Sequence, residues 1–86
     1  MEPSKRPRSE HPFRVFLLSK GRPQQWAVDR AAELGESLSQ AHLSEIMSGA
    51  GRPSVSLLAL LERISDGTVK AGKMLDWHLR HAERAA

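Results

Sequence analysis

The residues of this chain able to do chemistry are few, and they do not assemble into a catalytic set. Four histidines, His11, His42, His78 and His81, occur among 86 residues, with no cysteine. Disulfide frameworks, cysteine zinc sites and thiol catalysis are therefore excluded. His78 and His81 stand three apart beside Asp76. That spacing lets two imidazoles share a metal on one helix face, but a catalytic zinc needs a third protein ligand and the sequence identifies none. No serine lies in a Gly-x-Ser-x-Gly elbow, and no pair of carboxylates stands out for acid–base work. Gly49-Ala50-Gly51 is not followed by Gly-Lys-Ser/Thr and so makes no phosphate loop. The expectation is a protein that is not an enzyme, with no metal and no cofactor.

The remaining polar residues fall at regular places, which turns attention to the elements that hold them. Apolar residues take a helical period from His11 onward. Phe13, Phe16 and Leu17 predict a helix over about 12–20 that stops at Gly21. Pro23 suits the first turn of a second helix running to Leu34, with Trp26, Ala27, Ala31 and Leu34 on one side and Gly35 as its left-handed stop. Ser39 and Ser54 are good N-caps for a third helix, 40 to about 48, and a fourth. The third turns Leu43, Ile46 and Met47 inward and closes at Gly49. The fourth carries Leu57, Leu58, Leu60, Leu61 and Ile64 and ends at Asp66-Gly67; its wide apolar arc makes it the expected centre of the core. A fifth helix, about 70–84, offers Met74, Leu75, His78, Leu79 and Ala82 as a stripe. β-Branched residues never alternate with polar ones, so strands are unsupported. The fold expected is all-α, a bundle of about five short helices.

Two features of this arrangement point outward. The exposed side of the third helix would carry Gln40, Ala41, His42, Ser44 and Glu45, with no lysine or arginine. An ordinary solvated face uses long charged side chains. Short hydrogen-bonding ones suit a helix that enters a major groove about 12 Å wide. The second feature is a repeated triplet: Gly21-Arg22-Pro23 and Gly51-Arg52-Pro53 each precede a helix, the second and the fourth. Helix N-termini attract phosphate through free N–H groups and the dipole. The same triplet is the core of an AT-hook, but AT-hooks lie in disordered basic sequence, whereas these are flanked by helix and leucine.

The segment Ala31-x-x-x-Gly35, then Leu38-Ser39-Gln40-Ala41-His42-Leu43-Ser44-Glu45-Ile46-Met47-Ser48-Gly49, resembles the helix-turn-helix of the Cro/C1-type, lambda-repressor-like regulators of phages and bacteria. The leucine-rich helix after it is also family-like, and Thr68-Val69 after Asp66-Gly67 is similar to the YdaS-like and CII-like members. The similarity covers residues 12 to about 67. Two positions depart from it: Arg30 stands where the family usually has leucine, and two residues more than usual separate Gly35 from Leu38-Ser39.

The resemblance implies a sequence-specific transcriptional regulator, a repressor binding an inverted-repeat operator as a homodimer, with residues 40–48 as recognition helix. It implies base contacts from Gln40, Ala41, His42, Ser44 and Glu45, Gln40 pairing with adenine and Glu45 accepting from cytosine. Lys20, Arg22, Gln24, Gln25, Ser39, Arg52 and Ser54 are the implied phosphate contacts, which set register while base contacts specify sequence. Met74, Trp77, His78 and Leu79 are the expected dimer contacts on the last helix. The domain reading is a basic arm over 1–11, carrying Lys5, Arg6 and Arg8, a DNA-binding unit over 12–69 and a terminal helix over 70–86.

Composition agrees without deciding. The net charge is +3 with a pI near 10.0, a weak pointer to nucleic acid in which placement counts for more than total. A chain of this length buries roughly 60–65% of its unfolded surface, enough for one core and not two. No apolar run approaches the roughly 18 residues of a membrane span, and the first residues lack a secretory signal. The expectation is a soluble, cytoplasmic protein associated with the nucleoid, with double-stranded DNA as partner, no membrane and no small-molecule ligand. The competing class is a protein-interaction module, such as an antitoxin or anti-activator, that grips a partner through leucine-rich helix surfaces.

Overall fold

The computed structural model describes residues 10–50 and 52–85 and is all-helical. Five helices follow in order: α1 Pro12–Ser19, α2 Gln24–Glu33, α3 Gln40–Ser48, α4 Val55–Ile64 and α5 Ala71–Ala85. Their boundaries fall where the punctuation residues lie. Ser39 Oγ accepts from the His42 N–H at 3.0 Å and Ser54 Oγ from the Leu57 N–H at 3.1 Å, each satisfying one of the unpaired donors at a helix start. At the end of α2 the Glu36 N–H reaches Ala31 O and the Gly35 N–H reaches Ala32 O, the doubled bond of a Schellman stop. Gly35, at φ +82, adopts the left-handed conformation this requires. The end of α4 uses the same device with Asp66, the non-glycine residue at positive φ among those described.

The core draws on every helix. Phe13, Phe16 and Leu17 meet Ala27 and Ala31, Leu43, Ile46 and Met47, then Leu58, Leu60, Leu61 and Ile64, with Val69 and Met74 closing it. As expected, α4 packs against more than one neighbour, α2 and α5. Ala27 and Ala31 are fully buried one turn apart, so α2 presents almost no side-chain volume to the helices it touches. Leu38 explains the longer connection between α2 and α3: it is buried, while Glu36 and Ser37 remain outside. Arg30 also gains a role. Its guanidinium pairs with Glu33 at 3.0 Å and reaches Asp66 at 3.7 Å, tying α2 to the turn after α4.

Two expectations are corrected. The arm was bounded at residue 11, but His11 is fully buried and belongs to the fold. Its Nδ1 accepts from the Phe13 N–H at 3.1 Å and caps α1. Lys5, Arg6 and Arg8 lie outside the described residues. The second correction is the rotation of α5. Met74, Trp77 and His78 face inward, whereas Leu75 and Leu79 are 44% and 56% exposed; the side chain of Ala82 lies outside those described. Trp77 takes the inward place because it meets three partners at once. His81 stacks on it at 3.7 Å, His11 meets it edge-on at 4.7 Å, and the turn at Gly49 lies against its ring.

Candidate functional site

The exposed side of α3 is built by the inward pull of Leu43, Ile46 and Met47. Those three occupy one stripe, so Gln40, Ala41, His42, Ser44 and Glu45 must stand outside it, and all five are exposed. Across this face the side chains are short, with donors and acceptors both present.

One of these residues is held. Gln25, in the first turn of α2, donates from Nε2 to Asp29 Oδ1 at 2.7 Å and accepts at Oε1 from Gln40 Nε2. A carboxylate only accepts, so Asp29 fixes which end of the Gln25 amide is nitrogen; that in turn requires Gln40 to donate to it. Among the described residues Gln40 is left with its carbonyl oxygen and one N–H unspent on one planar amide. That is the donor–acceptor pair with which glutamine reads adenine N6 and N7. Gln25, expected from the sequence as a phosphate contact, is by its hydrogen bonds also a buttress for Gln40.

The Gln25–Gln40 bond also brings the start of α2 beside the start of α3. Arg22, Gln24 and Met47 line one shallow groove, which places the cationic entry of α2 next to α3. Arg22 is exposed and its guanidinium lies 4.6 Å over the ring of Trp26, an arrangement that restricts the cation without neutralising it. Lys20 is exposed, Gln24 half-buried. At the other end, Arg52 and Ser54 are exposed at the entry to α4, four residues and more beyond Ser48. Ser39 and Ser54 each accept a helix N–H, and each hydroxyl keeps its proton to donate outward.

The histidines do not form a second site on this face except for His42. His11 and His78 are buried against each other, Nε2 to Nε2 at 3.0 Å. Because His11 Nδ1 already accepts from Phe13, its proton sits on Nε2 and is donated to His78. Burial first, then the neighbouring His78 and His81, push the His11 pKa from the usual 6.5 down to about 3. Burial and His81 lower that of His78 as well. His81 Nδ1 lies 2.8 Å from the carbonyl of Trp77 and so donates to it, leaving its buried Nε2 without a partner among the described residues. With a proton on His11 Nε2 the pair is a hydrogen bond rather than a ligand set. No group of three metal-capable side chains comes together among the described residues. Sequence reasoning missed this cluster because the pairing spans 67 positions; the histidine immediately before Pro12 was its only local sign.

Of the expected dimer residues, Met74, Trp77 and His78 are spent inside the chain's own fold. Leu79 stays exposed, joined by Leu75 one turn away. No described helix is long and apolar enough to cross a membrane. No protein-family model, curated protein or solved structure matches the chain.

Proposed function

We propose that the protein is a sequence-specific DNA-binding transcriptional regulator that places α3 in the major groove. The observation that carries this reading is the amide of Gln40. It is exposed, bonded to a Gln25 amide that Asp29 orients, and keeps one donor and one acceptor unspent among the described residues. Beside it on α3 stand Ala41, His42, Ser44 and Glu45, with no lysine or arginine, and the cations Arg22 and Arg52 stand at the entries of the helices before and after α3. Phosphate contacts from those entries would set the register in which the helix reads bases. Dimerisation on an inverted repeat then falls to Leu75 and Leu79, since Met74 and Trp77 are buried. Repression is the mode the family resemblance supports.

The test is a titration with mixed-sequence duplex DNA at two salt concentrations. Binding should weaken steeply with salt, and Arg52→Ala should weaken binding to all sequences and reduce the salt slope by about one. Absence of binding at low salt would reject the reading. It would favour the protein-interaction module instead, for which the exposed pair Leu75 and Leu79 is the supporting observation.

A further inference from the structure

A groove apart from α3 lies among the described residues. It runs between α1 and α5 with a volume of about 580 Å³, inside the range of about 300–1,000 Å³ typical of small-molecule sites. Its floor is apolar, made by Val15 and Phe16 of α1, Val69 of the preceding connection and Trp77 of α5.

The two ends differ in charge. The His11–His78 contact sets the start of α1 beside the middle of α5. Lys20, just past the end of α1, therefore lies at the early end of α5 with Lys70 and Lys73. These lysines make no ion pair among the described residues. At the opposite end the charges cancel locally: Glu10 pairs with Arg14 at 3.2 Å, and Asp76 with Arg80. The result is an apolar trough, about 12 Å long by the rise of the eight residues of α1, with lysines at one end that make no ion pair among the described residues, the Glu62 carboxylate near them being taken by the Ala71 N–H.

We propose that this groove binds a medium-chain carboxylate, its head among Lys20, Lys70 and Lys73 and its chain over Val15, Phe16, Val69 and Trp77. Other occupants fit less well. The nine residues that precede Glu10 carry Lys5, Arg6 and Arg8 and no large apolar side chain after Met1, so they match neither the rim nor the floor. A second copy related by a two-fold axis at the cationic end would set lysine against lysine. Lys20 is shared with the phosphate-contacting set, so an occupied groove would compete with DNA at that residue. This consequence rests on the DNA-binding reading, whereas the binding itself does not.

The experiment uses the full chain, isotope-labelled for NMR, titrated with octanoate and separately with octanol, without DNA. The expected result is saturable octanoate shifts centred on Val15, Val69 and the Trp77 indole. Octanol should bind about tenfold more weakly, and so should octanoate to a Lys70→Glu/Lys73→Glu variant of unchanged melting temperature. Val15→Asp, at a half-exposed position, should abolish binding without unfolding the chain. Failure to saturate overturns the proposal. So does equal binding of octanol and octanoate with no effect of the lysine changes, which would leave an unselective apolar patch. If the same signals move only with an acidic amphipathic peptide or with protein concentration, the groove is a protein-docking surface and the assignment is wrong.

Discussion

Where α1 meets α5, polar side chains are turned into the protein; on α3 they are turned out of it. At the seam, His11 spends both ring nitrogens on internal partners, one on the Phe13 N–H and one on His78. On α3, Gln40 spends one N–H on Gln25 and keeps the rest of its amide unspent. Both are chains of hydrogen bonds in which each group fixes the next. The difference lies in where the chain ends. A buried polar group that is satisfied on all sides specifies how two helices dock, at high cost if one member is lost. An exposed chain that stops one bond short stabilises little and instead holds a side chain in one orientation at the surface.

The largest expected effect lies at the seam. His11→Ala removes the α1 cap, leaves the buried His78 Nε2 unsatisfied and opens a cavity, together about 3 kcal/mol by urea unfolding. His42→Ala, on the exposed face, should change stability by less than about 0.5 kcal/mol. Equal effects at the two histidines would erase the contrast.

The two helix-ending glycines probe the same boundary. Both Gly35 and Gly49 have positive φ, but a Cβ at Gly35 would meet nothing within 4 Å, while one at Gly49 would lie 3.2 Å from Trp77 Cη2. Gly35→Ala should therefore cost about 1 kcal/mol, from backbone conformation alone. Gly49→Ala should cost about 2–3 kcal/mol, because the Trp77 ring held by His81 must also shift. Thermal melts of the two variants decide whether the α3 turn leans on α5.

Acid should act on the seam. The unfolded chain takes up a proton at His11 near pH 6.5, whereas the folded one resists until about pH 3. Stability is thus fully present above pH 6.5 and is lost as the pH falls through that window. Between pH 6.5 and 5 the His11 contribution amounts to about 2 kcal/mol, and His78 adds to it in the same direction. Urea unfolding at pH 7.5 and 5 measures the loss, which should shrink in His11→Ala. A stability independent of pH over this range would contradict the tautomer chain.

The smallest effect on stability belongs to the exposed buttress. Gln25→Ala should leave unfolding unchanged within about 0.5 kcal/mol. If Gln40 reads a base, the same change should still cost about 1 kcal/mol of discrimination at that base pair, by releasing the amide it orients. A loss in stability without a loss in selectivity would make Gln25 a structural residue only.

The helices were legible in the sequence because their ends are local. Ser39 and Ser54 cap the residues three ahead, and Gly21, Gly35 and Gly49 stop helices a turn behind them. The exposed face of α3 was legible for the same reason, being what Leu43, Ile46 and Met47 leave outside. The rotation of α5 was not. Met74, Leu75, Trp77, His78 and Leu79 spread apolar character over a broad arc, and periodicity cannot choose between stripes that overlap. Contacts with His11 and Gly49, distant in sequence, make the choice. Gln25 shows the same limit at a shorter range: fifteen residues separate it from Gln40, and composition alone could not distinguish a phosphate contact from a buttress.

The central claim concerns the unspent edge of Gln40, and selection from a random pool of duplex DNA tests it most directly. The wild-type chain should enrich an inverted repeat. Gln40→Ala should enrich the same repeat with preference relaxed at one position of each half-site, a loss of about 1–3 kcal/mol there. An unenriched pool, or identical preferences for the two proteins, would contradict a base-reading role for Gln40.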